Sequence, residues 1–157
     1  MMRTSCAGID ALCAEEGYSA RRFRDAKGWS IGYGHFIRPG ETYTELTEPQ
    51  ARDLLALDIR WAEHCVDATV RVALAQCQYD AMVSLVYNIG AARFARSKLI
   101  ACINAYDHAG TRRNWSEFRL SSVLVSPPGE LPERFELRVD GRLVRRRARE
   151  LRMFFAD

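Results

Sequence analysis

The chain changes its period abruptly near residue 17, and few folds accommodate that change. Before it, Ile9, Leu12, Cys13 and Glu16 fall at i, i+3, i+4 and i+7, the stripe of an amphipathic helix. Gly17 follows as a helix stop. From Trp29 the run "WSIGYGHFI" alternates large apolar with small or polar residues, as a strand does. Asp25 to Gly28 reads as the preceding hairpin turn, and "RPGE" at 38–41 as another. At Thr47 the helical period returns. Thr47-Glu48-Pro49-Gln50 is a capping box with proline in the first turn. Ala51, Leu54, Leu55, Ile59, Ala62 and Val66 then form one stripe, predicting a single long helix.

Further helices are expected at about 75–89, ended by Gly90, at about 95–106, and from "RNWSEF". The stretch "VSPPGELPERFELRVDGRLV" at 125–144 interrupts the helical regime. Two prolines and a glycine predict a loop, and Phe135, Leu137 and Val139 alternate as in a short strand. Leu143, Val144, Leu151, Phe154 and Phe155 mark a closing helix. A small β unit inside a helical body predicts an α+β fold. One domain over 1–157 is expected, with a β lobe at about 17–46 and a helical part formed by 1–16 and 47–157. A long helix joining the two would leave a cleft between them.

Composition removes several classes. No run of 18 apolar residues occurs, so stable membrane insertion is not expected. The first 17 residues lack the layout of a Sec signal, so synthesis in a reducing cytoplasm and delivery by another protein are expected. Cys6, Cys13, Cys65, Cys77 and Cys102 are odd in number, and no CxxC occurs. Five reduced, mostly buried thiols are the expectation. His35, His64 and His108 have no ligand spacing, so no metal site is predicted. The net charge of +3 is concentrated at Arg21, Arg22 and Arg24 and again over Arg142–Arg152. Such clusters suit an anionic partner, although a solvated helix face is the simpler reading of the late one. No recognition-helix motif supports nucleic acid as that partner.

Two carboxyl groups flank the turn. Glu16 ends a helix on its apolar side, while Glu15 points about 100° away. Asp25 stands at the hairpin, and Ser30 lies on the returning strand. A carboxyl among apolar neighbours favours its protonated form, and one on an exposed turn stays ionised. Glycosidic cleavage needs such a pair: one acid protonates the leaving oxygen while the other assists attack on the opposite face. A helix-end charge and a turn aspartate also have an ordinary structural reading, and spacing alone does not separate the two.

The surrounding residues carry more. Glu16-Gly17, Asp25, "SIGYGH" at 30–35, "LTEPQA" at 46–51, "QYDAMVSLVYNIG" at 78–90 and "LVRRRARE" at 143–150 occur in this order. Together they resemble the phage-type lysozymes, the endolysins of glycoside hydrolase family 24, over most of the chain. The resemblance implies a lysozyme-like fold and a muramidase acting on peptidoglycan glycan strands, as a monomer without a cofactor. It implies Glu16 as general acid, with Asp25 and Ser30 positioning water or stabilising the transition state, usually with inversion. A non-catalytic wall-binding module and a lytic transglycosylase are the alternatives.

Two departures stand out. Four residues separate Asp25 from Ser30 where the family usually has five before a Thr, and residues 120–141 do not match the usual segment. Three further residues are candidates for substrate binding, each with a structural alternative. Tyr33, like Trp29, either stacks on sugar or packs in the core. His35 is either structural or near the cleft. Asn88 either helps cap its helix with Gly90 or lines the cleft.

Overall fold

The computed structural model describes residues 2–25, 28–126, 132 and 134–156. Ala26 and Lys27, in the expected hairpin turn, and Pro127, Pro128 and Gly129, in the expected loop, lie outside them. Helix α1 spans Cys6–Glu16. Ser5 caps its start, the hydroxyl oxygen accepting from the Gly8 amide at 3.1 Å. At the other end Gly17 adopts φ +73°, and its amide donates to the Cys13 carbonyl.

Three antiparallel strands follow in the order β1 (Ser19–Asp25), β2 (Gly28–Gly32) and β3 (His35–Phe36). Asp25 pairs with Gly28, Arg24 with Trp29 and Phe23 with Ser30. Only β2 is well buried, through Ser30, Ile31 and Gly32. Gly32 is required there. A Cβ would lie 2.9 Å from the Ala51 methyl on the next helix, and φ is +65°.

Helices α2 (Glu48–Asp58) and α3 (Arg60–Thr69) replace the single long helix expected. The capping box at Thr47 is present, with Gln50 accepting from the Thr47 amide at 2.9 Å. The division at Ile59 involves neither proline nor glycine. Asp58 is tied to His35 of the β unit while Ile59 is buried in the core. The ladder nevertheless continues across the break, since Ile59 donates to Leu55 and accepts from Glu63.

Helix α4 (Gln76–Ile89) runs through the centre, with every residue from Tyr79 to Val86 buried. Around it lie α5 (Ala91–Ala95), α6 (Lys98–Asn104), α7 (His108–Ser116) and α8 (Gly141–Phe154). Leu12, Ile31, Leu55, Met82, Phe94, Leu99 and Trp115 are among the core residues, so α1, the sheet and the helical body share one core. Between α7 and α8 the chain forms a second hairpin, β4 (Leu120–Leu124) with β5 (Phe135–Val139). The alternation at 135–139 is thus a strand.

Two readings of charge and burial change. The closing helix is not simply a solvated basic face: Arg146 and Arg147 are buried, while Arg142, Arg145, Arg149 and Arg152 are exposed. The five cysteines are free thiols, but Cys6 is exposed and the other four are only partly covered.

Candidate active site

Glu16 reaches the site as the last residue of α1, where the helix stop at Gly17 leaves its side chain at the edge of the helical body. Its neighbour there is a charge. Arg146 Nη1 donates to Glu16 Oε1 at 2.8 Å. The expectation of an inward, apolar setting for Glu16 is therefore corrected, because a buried guanidinium from α8 occupies that position. Glu15 does not point into solvent either. Arg149 grips it through Nε and Nη2, at 2.5 and 2.8 Å. The Glu15 side chain is the less exposed of the two, 12% against 25% for Glu16. Burial pushes the Glu15 carboxyl up, but the bond from Arg149 and the charges of Arg146, Arg149 and Arg147 outweigh it and hold it low.

Arg146 is itself held from behind. Its Nε donates to Glu150 Oε1 at 3.2 Å and its Nη2 to the Ser84 carbonyl at 3.3 Å. Glu150 also accepts from the Ser84 hydroxyl at 2.9 Å, Trp115 Nε1 at 3.0 Å and Arg147 Nη2 at 2.8 Å. Arg147 Nε lies 2.7 Å from Glu150 Oε2 without hydrogen-bond alignment, while Nη1 donates to the Phe118 carbonyl at 3.2 Å. A buried acid on α8 thus fixes the guanidinium that fixes Glu16. Among the described residues Glu16 Oε2 has no hydrogen-bond partner.

Across the turn, Asp25 and Ser30 come together despite the short hairpin. The Ser30 hydroxyl donates to Asp25 Oδ2 at 2.7 Å, and the Gly28 amide donates to Oδ1 at 3.1 Å. Ser30 is buried and Asp25 exposed, so a rigid strand residue steadies a carboxylate that faces water. In this arrangement the hydroxyl acts on Asp25.

The three additional candidates divide. Tyr33 is buried, donates to Glu48 Oε1 at 2.9 Å and packs 5.6 Å from the Tyr18 ring. It is therefore not a sugar platform. Burial, followed by its bond to Glu48, pushes its hydroxyl up. His35 is buried with both nitrogens engaged, Nδ1 with Asp58 at 2.8 Å and Nε2 with Glu41 at 3.0 Å. It ties the β unit to the end of α2. Asn88 is exposed and borders a cavity of about 410 Å³ together with Glu15, Arg146 and Arg149. The stop at Gly90 uses its own amide on the Val86 carbonyl. Trp29 is exposed, with the Arg22 guanidinium 4.9 Å from its ring centre, so it is not core either.

Arg146 and Glu150, which spacing did not single out although both lie inside a quoted motif, are the residues that hold Glu16 in place. The Tyr87 hydroxyl is pushed up by burial and then by the charges of Asp58 and Glu16. Trp61 stacks on the Tyr87 ring at 5.9 Å. Among the described residues no cluster of His, Cys, Asp and Glu could hold a metal ion, and no helix is long and apolar enough to cross a membrane.

Known proteins are similar to this chain over most of its length. The family model described as phage lysozyme matches residues 13–150. The endolysin of Salmonella phage P22 is 37% identical over 112 residues, covering 66% of this chain and 75% of the relative. That of Acyrthosiphon pisum secondary endosymbiont phage 1 is 30% identical over 139 residues, covering 85% and 93%. Among solved structures, the muramidase domain of SpmX from Asticaccaulis excentricus superposes with a TM-score of 0.83 at 26% identity, covering all of both chains. A mutant of P22 lysozyme gives 0.78 at 29% identity, covering 99% of this chain and 100% of that one.

Proposed function

Because the chain belongs to the phage lysozyme family, whose enzymes cleave peptidoglycan, we propose that it is a muramidase. It hydrolyses the β-1,4 bond between N-acetylmuramic acid and N-acetylglucosamine. Glu16 is the general acid. Arg146 fixes one carboxyl oxygen, and the unpartnered Oε2 delivers the proton to the glycosidic oxygen. Asp25 faces the sugar carbon from the hairpin. It accepts a proton from the attacking water and opposes the positive charge that develops on the ring. Ser30 and the Gly28 amide hold both Asp25 oxygens, which removes rotamers the free side chain would otherwise sample.

The observation that carries this reading is that each acid has its position set from behind: Glu16 by a buried guanidinium, Asp25 by a buried hydroxyl. Surface carboxylates in ordinary roles do not need such support. Muropeptide mass spectrometry tests it. Wild type should release fragments with reducing ends, and Glu16→Gln should slow release by about 10²–10⁴-fold with the fold intact. Fragments ending in 1,6-anhydro sugar would make the enzyme a transglycosylase. Tight wall binding without release would make it a binding module.

A further inference from the structure

A second charged region lies among α5, α6 and α7. A cavity of about 560 Å³ is lined by Arg93, Arg96, Lys98 and Arg113, with Glu117 as the acid among its lining residues. Among the described residues none of these four cations is in an ion pair; Arg93 lies 5.2 Å from the Phe118 ring centre. An adjoining cavity of about 400 Å³ shares Arg93, Glu117 and Phe118 and adds Arg119, Leu120 and Val139. The basic cavity therefore runs to the base of the β4–β5 hairpin.

That hairpin carries an uncovered apolar face. Leu120 pairs with Val139, so their side chains share one side of the ribbon. Alternation places Leu137 and Phe135 on that same side. Phe135, Leu137 and Val139 are 56%, 70% and 63% exposed. A contiguous exposed apolar surface marks an interaction site. The proposed hydrolysis uses neither the hairpin nor the cavity.

The combination selects the occupant. A soluble anionic polymer would meet the cations but leave the apolar face uncovered. A second copy of the chain would bring its own unpaired cations against these. A lipid surface offers both complements, acyl chains for Phe135, Leu137 and Val139 and anionic headgroups for Arg93, Arg96, Lys98 and Arg113. We propose that the β4–β5 hairpin and the adjoining basic cavity form a docking surface for an anionic lipid bilayer. The chain lies on the bilayer without crossing it. An enzyme held there would work on the glycan nearest the membrane.

Vesicle co-sedimentation of the full chain tests this. Wild type should bind vesicles of equal parts phosphatidylcholine and phosphatidylglycerol, bind pure phosphatidylcholine poorly, and release as salt rises. Arg96→Gln with Arg113→Gln should weaken binding about thirtyfold, from two lost cations at an anionic surface. Phe135→Ser with Leu137→Ser should weaken it by a similar factor. Both pairs are largely exposed and should leave circular dichroism and wall-lysing activity unchanged. Arg21→Gln with Arg24→Gln, on β1, is the control and should bind as wild type. No binding to the anionic vesicles overturns the proposal. So does unchanged binding by the hairpin variant, which would reassign the cavity to soluble anions. A loss in the β1 control equal to that in the cavity variant would reduce the effect to net charge and overturn it as well.

Discussion

Replacing Glu150 by Gln tests how the site is supported. The glutamate is buried and meets two buried guanidiniums, Arg146 and Arg147, as well as the Ser84 hydroxyl and the Trp115 indole. Glutamine keeps the shape and one acceptor oxygen but removes the charge. Arg147 then remains in the interior without a carboxylate, and Arg146 keeps only Glu16. Breaking a buried pair in this way costs about 3–5 kcal/mol. A domain of this size has about 5–15 kcal/mol in all, so the loss is a large share of its stability. At about 2–4 °C per kcal/mol the melting point should fall by roughly 6–20 °C. The assay is urea unfolding followed by fluorescence, with the m-value checked for constancy. A second variant tells charge from shape. Adding Arg147→Met to Glu150→Gln removes the orphaned cation and should recover part of the loss, giving a favourable coupling energy. Lysis at a temperature where the variant stays folded should also fall, because Arg146 loses its charged rear contact, keeps only the Ser84 carbonyl there, and holds Glu16 less firmly. A loss under about 1 kcal/mol, the typical worth of an exposed pair, would refute the idea that this cluster holds the site.

Other consequences follow from the same contacts. Asp25→Asn should lose most lytic activity in a turbidity assay, and Ser30→Ala should lose less, since it frees Asp25 without removing it; wild-type lysis by Asp25→Asn would place the base elsewhere, Glu41 and Glu45 being the next acids to replace. Acid stability should depend on Glu63. Burial raises its carboxyl, but bonds from the Thr4 amide, Arg3 and the Thr4 hydroxyl outweigh that and hold it below its ordinary value. Its contribution is thus present above about pH 4.3 and lost as pH falls through the depressed folded value, so Glu63→Gln should flatten the acid limb of a stability–pH curve. Reductant should leave activity and melting point unchanged, because all five cysteines are free; loss of either on reduction would show a disulfide that matters.

What sequence alone determined about this chain is what depends on neighbours along it. Ser5, Thr47 and Gln50 cap helices through bonds spanning three residues, and Gly17 and Gly90 end helices through their own φ. The switch of period at Gly17 and Thr47 sets the α+β order, and the alternation at 135–139 marks a strand. The Asp25–Ser30 pair was legible for the same reason, since one hairpin brings the two together. Position along a helix told less about surroundings. Heptad spacing put Glu16 on the apolar side, yet what it meets is Arg146, which is 130 residues away in the chain. Charge clustering alone did not separate Arg146 and Arg147 from Arg145 and Arg149. Only the packing of α8 on α4 and α7 buries the first two, and burial is what requires Glu150 to answer their charge. The division at Ile59 belongs with these, since it lies where His35 takes hold of Asp58 and not at any helix breaker. Short-range hydrogen bonds and backbone preferences are written in adjacent residues. The partner of a buried charge is chosen by whichever distant element closes over it, and that was decided by the tertiary structure.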